Sequence, residues 1–215
     1  MEIEKLTILG LSEPTLTMIF DNLESCLLFP EIKIVNNLGL NELKSFENLK
    51  FTINVQNNIG SIDNKICFFL GVIKPFTKLA VLNKYSEHNL SFINIIHKTS
   101  SISSTVKLGK GELINSLVSI AGYTKIGDFV SINRNVSVGH HTEIANFVTL
   151  SPGTNVAGFV KIGENTLVGM GANIIDGITI GRNSIIGAGS LVTKDIPDGV
   201  VAYGNPCKII RDNKH

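Results

Sequence analysis

Aliphatic side chains recur along the second half of the chain with a period of six. Stepping by six from Ile102 to Val192 meets Ile, Leu or Val at each of sixteen positions. This period is neither the two-residue alternation of a strand nor the 3.6-residue turn of an α-helix, so it indicates an internal repeat. Each hexad then supplies one short strand and one turn, three hexads make a triangular coil, and the repeat makes about five coils. The pattern predicts a parallel β-helix with the aliphatic residues inside.

Two other positions of the hexad fit this prediction. The residue two before the aliphatic is small or β-branched in most hexads, from Thr124 to Ser190, as a second inward position requires. Glycine often follows the aliphatic, as at Gly139 and Gly187, and sixteen of the twenty glycines lie after residue 101. At these glycines we expect corners that need a positive φ or the close approach of a neighbouring backbone.

The first half has a different pattern, in which short β-branched or aromatic runs alternate with segments of helical period. This alternation is typical of a small α/β unit with a largely parallel sheet. Strands are predicted at 5–10, 32–36, 51–55 and 67–72, with a last strand at 91–96, and helices at 14–27, 41–46 and 76–86.

Composition excludes several classes of protein. The net charge is +1, with 19 basic and 18 acidic residues and no run of four Lys or Arg, so we expect no nucleic-acid partner. The three cysteines lack CxxC spacing, which argues against a disulfide framework or a structural zinc site. The acidic N-terminus reaches Gly10 after a short apolar run, so neither a signal peptide nor a membrane span is expected. We therefore expect a cytoplasmic protein that does not bind membranes.

The clearest polar interruption of the repeat is the pair His140-His141, which follows Gly139. Val138 and Thr142 occupy the adjacent inward positions, so both histidines fall on the outward part of a hexad. Histidine is the side chain that exchanges a proton near neutral pH without a special environment. The pair is therefore the candidate catalytic centre.

Residues 126–206 closely resemble the left-handed β-helix acetyltransferases that acetylate sialic acid on oxygen or nucleotide-linked aminosugars on nitrogen. The specific elements are Asn133, the Val-Gly-His segment ending at His140, the motifs at 151–153 and 186–190, Ala157-Gly158, and the closing Gly-Asn-Pro at 204–206. The resemblance is strong over the second half and extends to the whole chain in layout. It implies a left-handed winding, which the spacing alone does not show.

The resemblance also implies roles for individual residues. His140 corresponds to the general base, Asn133 to an acceptor-site asparagine, and Gly158 to the glycine whose N–H meets the carbonyl oxygen of the thioester. Small or polar residues along the pantetheine arm would be Gly171, Asn173 and Ala188. The co-substrate would be acetyl-CoA, no metal would be needed, and the active sites would lie between the subunits of a homotrimer.

The chain departs from the family pattern in two places. Family members commonly carry Asp or Glu after the catalytic histidine, where this chain has His141, so either Glu143 orients His140 or a weaker partner does. The phosphate-binding loop after the first strand is degenerate and reads Gly10-Leu11-Ser12-Glu13-Pro14. We place Gly10, Ser12 and His141 on the acceptor side of the site, with nucleotide binding weakened by Glu13.

These observations predict three parts: a Rossmann-like sugar-nucleotide-binding domain at 1–96, a left-handed β-helix acyltransferase domain at 97–194, and a C-terminal cap at 195–215. The expected reaction is acetyl transfer from acetyl-CoA to the amine of a nucleotide-linked aminosugar, on the route to a surface glycan. The alternative acceptor is a hydroxyl on sialic acid or another sugar. A metal-dependent hydratase resembling the γ-class carbonic anhydrases, or a non-catalytic scaffold, fits less well, because the hydratase needs three converging histidines.

Overall fold

The N-terminal part of the computed structural model is a parallel four-stranded sheet. The model describes residues 5–26, 31–36, 49, 51–60, 62 and 66–214. The strands are β1 (Lys5–Leu9), β2 (Glu31–Val35), β3 (Thr52–Gln56) and β4 (Ile66–Leu70), in the order β3-β2-β1-β4. Helix α1 (Glu13–Cys26) follows β1, and α2 (Pro75–Lys84) follows β4. The predicted α/β unit is confirmed, and the predicted helix 41–46 lies outside the described residues.

The predicted strand 91–96 is wrong in extent. Phe92 makes an isolated bridge to Phe68 at the edge of the sheet, and only β5 (Ile95–Ile96) forms a strand. Between them, the Asn94 side chain donates to the Gly109 carbonyl (2.8 Å) and accepts from the Glu112 amide (3.1 Å). The chain leaves the first sheet at Asn94 because that residue is already bonded to the β-helix.

The second half is a parallel β-helix with three walls. Its strands are β6 (Ser101–Ile102), β7 (Leu113–Ile114), β8 (Ser119–Ile120), β9 (Lys125–Ile126), β10 (Ser131–Ile132), β11 (Ser137–Val138), β12 (Glu143–Ile144), β13 (Thr149–Leu150), β14 (Asn155–Val156), β15 (Lys161–Ile162), β16 (Leu167–Val168), β17 (Asn173–Ile174), β18 (Thr179–Ile180), β19 (Ile185–Ile186), β20 (Leu191–Val192), β21 (Val200–Tyr203) and β22 (Lys208–Asp212). Wall 1 has the strand order β22-β21-β19-β16-β13-β10-β7-β5, wall 2 the order β20-β17-β14-β11-β8-β6, and wall 3 the order β18-β15-β12-β9. Paired residues such as Ser131 and Thr149 lie one coil of 18 residues apart.

The core of the β-helix consists of the two predicted inward positions of each hexad. The aliphatic residues from Ile114 to Val192 are buried, and Ile102 and Leu108 at the first coil are half-buried. The predicted second positions are also buried, and their hydroxyls bond to corner carbonyls, as Thr124 does to Gly139 (2.9 Å). Buried hydroxyls are therefore satisfied, and the period-six prediction is confirmed.

The corners differ from the prediction in where the backbone is left-handed. Positive φ occurs three residues after the aliphatic, and most residues there are not glycine: Leu117, Tyr123, Phe129, Asn135, His141, Phe147, Phe159, Asn165 and Asn183. The glycine directly after the aliphatic serves close packing, because a Cβ on Gly139 would lie 2.5 Å from the Ala157 carbonyl carbon of the next coil. The two functions expected of one glycine thus belong to two positions.

Two helices attach the first domain to the β-helix. On α1, the Asn22 amide donates to the Ile114 carbonyl (3.1 Å), and Met18 Sδ accepts from the Asn133 amide (3.5 Å). On α2, the buried Lys78 ammonium donates to the Phe129 carbonyl (2.8 Å) and to Thr149 Oγ1 (3.3 Å). The first domain is therefore held at two different corners of the β-helix.

The chain ends in a β-hairpin at the last coil. Strand β21 joins wall 1 beside β19, and β22 pairs antiparallel with β21. Neither α1 nor α2, the two helices in the described part of the chain, has the length and apolar character needed to cross a bilayer.

Candidate active site

His140 and His141 lie at the corner between walls 2 and 3, where β11 ends and β12 begins. Both side chains are exposed, and their Nδ1 atoms are 3.1 Å apart. The rings are nearly perpendicular, at 86°. Residues at such a corner do not alternate between faces as strand residues do, so the two neighbouring imidazoles meet.

Gly158 lies one coil below His140, and the imidazole covers it. A Cβ on Gly158 would lie 2.9 Å from Cε1 and 3.1 Å from Nε2 of His140, and 2.9 Å from the Asp176 carboxylate. The Cε1–Nε2 edge of the ring therefore faces the Gly158 backbone. Asp176 lies on the other side of Gly158. Two residues predicted to act together, His140 and Gly158, are neighbours within one protomer.

Corner amides two residues after the aliphatic fall into two groups, and most of them, such as those of Gly122 and Ala188, have no acceptor among the described residues. The N–H groups of Lys110, Asp128 and Arg182 each donate to a side-chain oxygen one coil below or at the end of the β-helix. Over the described ranges of the chain, no acceptor is found for the Gly158 N–H. An amide without an intramolecular acceptor, beside an imidazole, can donate to a bound carbonyl oxygen.

An aromatic column stands beside this corner. The His141 ring stacks between Tyr123 and Phe159, with both centroid distances at 5.0 Å. Phe159 also meets His140 edge-on at 5.1 Å. The column borders a cleft of about 560 Å³ along wall 3, lined also by Lys107, Lys125, Glu143 and Lys161. Tyr123 and Phe159 remain 64% and 53% exposed, so the aromatic faces are open to a ligand or another chain.

Glu143 lies at the start of β12 and forms an ion pair with Lys125 on the adjacent rung of wall 3 (3.2 Å). The polar group next to Nδ1 of His140 is instead the imidazole of His141. The sequence left Glu143 or an unnamed weaker partner to orient His140; the structure pairs Glu143 with Lys125 and brings His141, expected on the acceptor side, to His140.

The other predicted cofactor and acceptor residues lie across wall 2. Gly171 and Ala188 are exposed at the corner between walls 1 and 2, and a Cβ on Gly171 would meet nothing within 4 Å. Asn173 begins β17 on wall 2 and bonds to Asn155 (3.0 Å) and to the Gly171 carbonyl (3.1 Å). Within one protomer, these residues and His140 are therefore at opposite edges of wall 2.

Asn133 belongs to the same edge as Gly171. Its side chain is 7% exposed and contacts Met18 of α1, while its Oδ1 accepts from the Arg134 amide (2.8 Å). It lines a cleft of about 270 Å³ with His97, Asn115 and Asp21, among others. Neither Asn133 nor Asn173 has a positive φ, so neither is a left-handed corner asparagine.

Gly10 and Ser12 lie at the carboxyl end of β1, next to β4. The Gly71 Cα packs so closely on the Gly10 carbonyl that a Cβ there would overlap it. Ser12 directly precedes α1, and its carbonyl accepts from the amides of Thr15 (2.9 Å) and Leu16 (2.8 Å). Because Met18 of α1 contacts Asn133, one helix joins Gly10 and Ser12 to the Asn133 cleft.

Sequence reasoning missed Asp176, Tyr123 and Phe159. All three follow from the 18-residue coil, since Asp176 lies two coils below His140, and Tyr123 and Phe159 lie one coil above and below His141. Stepping by 18 from the histidines would have found them. In the part of the chain that the structure describes, no three His, Cys, Asp or Glu side chains come close enough to hold a metal ion.

Residues 159–194 match the family model described as bacterial transferase hexapeptide (six repeats). This segment carries the hexapeptide repeat that the family model describes. No curated protein matches this hexapeptide-repeat chain by sequence. The comparison with solved structures is more informative, because it covers the first domain as well.

One match is a mutant of perosamine N-acetyltransferase from Caulobacter crescentus in complex with CoA and GDP-perosamine, with a TM-score of 0.83 and 27% identity over 98% of both chains. Another is the acetyltransferase domain of PglB from Neisseria gonorrhoeae, with a TM-score of 0.86 and 21% identity over 96% of this chain and 100% of that one. WeeI from Acinetobacter baumannii has a TM-score of 0.80, 20% identity and the same coverage. The resemblance to β-helix sugar acetyltransferases and the predicted fold class are confirmed.

Proposed function

We propose that the protein transfers the acetyl group of acetyl-CoA to the amine of a nucleotide-linked aminosugar, in the synthesis of a surface glycan. The observation that carries this proposal is the Cε1–Nε2 edge of His140 facing Gly158, whose N–H is without an intramolecular acceptor among the described residues. The perosamine enzyme, at 27% identity over nearly the whole length, binds CoA and GDP-perosamine, which supports the same classes of ligand here.

The chemistry follows from these two groups. His140 Nε2 takes the proton of the acceptor amine as its nitrogen attacks the thioester carbonyl. The carbonyl oxygen becomes an oxyanion and receives a hydrogen bond from the Gly158 N–H. The tetrahedral intermediate then collapses, the C–S bond breaks, and the departing thiolate takes the proton from His140. The products are the acetamido sugar and CoA, and the imidazole returns to its neutral form.

The site would be shared between two protomers of a homotrimer. His140 and Gly158 supply the reacting edge of wall 2, whereas Asn133, Gly171, Asn173 and Ala188 lie on its other edge. In a cyclic trimer the second edge of one β-helix faces the first edge of the next. The acceptor would enter along α1 past Asn133, with Gly10 and Ser12 at the far end of that helix.

One observation favours the second candidate, transfer to a hydroxyl of a sugar that carries no nucleotide. The first turn of α1 offers few free amides to a phosphate, because Pro14 has none and those of Thr15 and Leu16 bond to the Ser12 carbonyl. Glu13 in this turn adds a negative charge. Phosphate binding at a helix N-terminus needs free N–H groups and a positive end, and both are reduced here.

The test is an assay for free CoA, with a thiol reagent, on acetyl-CoA and a panel of GDP-, UDP- and TDP-aminosugars and free sugars. We expect release with a nucleotide aminosugar and a loss of about 10²-fold or more for His140→Asn. The control is His88→Gln, which changes an exposed histidine of the first domain. Product mass and stability to hydroxylamine separate amide from ester. Full activity of His140→Asn would exclude His140 as the base.

A further inference from the structure

His140 and His141 present the same ring nitrogen to each other. Their Nδ1 atoms are 3.1 Å apart, a hydrogen-bond distance. Each Nδ1 is a donor when protonated and an acceptor when not. The bond therefore requires one proton, on one of the two Nδ1 atoms, and the two imidazoles cannot choose their tautomers independently.

Only one arrangement of protons makes His140 a base. If the proton is on Nδ1 of His140, the ring donates to His141 and keeps a lone pair on Nε2, at the edge that faces Gly158. If the proton is on Nδ1 of His141, neutral His140 must carry its own proton on Nε2 and cannot accept another. The catalytic tautomer is thus the one in which His141 accepts.

The ring of His141 is held in place by its surroundings. Tyr123 and Phe159 cover its two faces at interplanar angles of 27° and 20°. Its backbone has the positive φ of the corner, 56°. With both faces covered, the ring presents its nitrogen to His140 in a fixed direction, as a group that orients a catalytic base should.

We propose that His141 is the positioning residue for His140, fixing its tautomer and orientation by accepting a hydrogen bond at Nδ1, and does not contact the acceptor sugar. This inference rests on the proposed acetyl transfer. When Nε2 takes the proton of the amine, His140 becomes an imidazolium and the Nδ1–H to Nδ1 bond becomes charge-assisted, which strengthens it. The same proton then leaves with the thiolate, so the pair ends as it began.

The other ionisable groups around the pair are placed differently. Asp176 lies one coil beyond Gly158, on the side of the His140 ring that carries Cε1 and Nε2. Glu143 is paired with Lys125 on wall 3. The remaining titratable groups along the adjoining cleft are Tyr123, Lys107 and Lys161. In the described chain, His141 is the one side chain with a hydrogen bond to His140.

The corner itself supplies matched substitutions for His141. Phe occupies the equivalent left-handed position at Phe159 (φ 57°), and Asn does so at Asn165 (φ 60°). His141→Phe therefore keeps the turn and the aromatic stack but removes the acceptor nitrogen. His141→Asn keeps the turn and offers a carbonyl oxygen as acceptor, but removes the stack.

The experiment measures kcat and both KM values for wild type, His141→Phe and His141→Asn, with His88→Gln as the control. We expect His141→Phe to lower kcat by about 10- to 100-fold, with KM for acetyl-CoA and acceptor unchanged. His141→Asn should recover part of this loss. His88→Gln should keep the kcat and both KM values of wild type. A raised KM for the acceptor with unchanged kcat would instead assign His141 to substrate binding and overturn the proposal.

A second readout does not depend on turnover. Ring ¹⁵N chemical shifts of histidine-labelled protein report which nitrogen carries the proton. We expect the Nδ1–H tautomer for His140 in wild type and a shift towards Nε2–H in His141→Phe. Unchanged shifts would refute the positioning role even in an active enzyme. If no acceptor is acetylated at all, the proposed function fails, and the shifts still decide whether the hydrogen bond sets the tautomer.

Discussion

At the scale of single residues, the arrangement of the candidate site depends on the lack of a side chain at Gly158. The His140 ring and the Asp176 carboxylate approach the Gly158 Cα from two sides, and a methyl group there would lie within 3.1 Å of both. Because the obstructing atoms belong to side chains, a larger residue would displace these groups and leave the backbone of the coil in place. Gly158 therefore controls where the imidazole stands.

The corresponding prediction concerns Gly158→Ala. We expect the variant to fold with unchanged circular dichroism. Its kcat should fall by at least about 10-fold, because the new methyl group displaces His140 from its position beside the amide of residue 158. The matched control is Gly122→Ala, on the same corner, where the new Cβ would meet Thr105 Oγ1 (2.9 Å) and no imidazole. Equal rates for the two variants would contradict the geometry.

The residues of the site were predictable in so far as they break the repeat. His140 and His141 stand out as the two histidines of the hexapeptide repeat, and Gly158 followed from the resemblance. Stacking between coils places Asp176, Tyr123 and Phe159 beside the candidate site, so only the 18-residue step connects them to the histidines. The contact of Nδ1 with Nδ1 could not be predicted, because it depends on rotamers at a left-handed corner.

At the scale of elements, the attachment of α2 to the β-helix uses a buried charge. Lys78 Nζ has backbone and hydroxyl acceptors, including the Phe129 carbonyl, but no acidic partner among the described residues. Burial lowers the pKa of Lys78 from 10.5 to about 7. Since the folded state then binds fewer protons than the unfolded state between these values, the free energy of unfolding should rise as pH increases from 7 towards 10.

This predicts a pH effect that Lys78→Met removes. Between pH 7 and pH 9, the free energy of unfolding of wild type should gain about 1–2 kcal/mol relative to Lys78→Met, since each unit of pKa difference corresponds to about 1.4 kcal/mol. Urea denaturation at the two pH values measures it. Lys194→Met, at an exposed position, is the control and should run parallel to wild type. If the free energy of unfolding of Lys78→Met changed with pH in parallel with wild type, the Lys78 amine would keep its proton in the folded state at these pH values.

The elements themselves were largely readable from the chain. The six-residue period and the inward positions could be predicted because they depend on burial alone, and the pattern of apolar residues along the sequence indicates burial directly. The strand predicted at 91–96 failed because its residues read as β-branched and aromatic, whereas the Asn94 side chain redirects the chain through tertiary bonds. The positive φ of Phe129 or Tyr123 also escaped prediction, since residue preference favours Gly and Asn there.

At the scale of the whole molecule, the residues of the proposed site lie at the two edges of wall 2. His140 and Gly158 are on one edge, and Asn133 and Gly171 are on the other. One protomer cannot join them around a single thioester, since the wall separates them. The proposed trimer joins the edges of neighbouring protomers, so that three protomers form three complete sites.

Mixed trimers test this arrangement. Co-expression of His140→Asn chains with Asn133→Ala chains should restore activity, because an intact site forms wherever His140 of one protomer meets Asn133 of another. We expect about a third of the wild-type rate in each mixed trimer. Mixing His140→Asn with Gly158→Ala should restore none, since those residues share one protomer. No recovery in the first mixture would place the whole site within single chains, and recovery in the second would show that His140 and Gly158 act from different protomers.

The left-handed corner position accepts Leu, Tyr, Phe, His, Asn and Gly in this one chain without any change in coil length. The residue at such a position can therefore be replaced while the strands before and after it keep their pairing. New acceptor or donor preferences could then arise by single replacements in a vertical series of turns, each altering what lines the groove and none requiring the solenoid to be rebuilt.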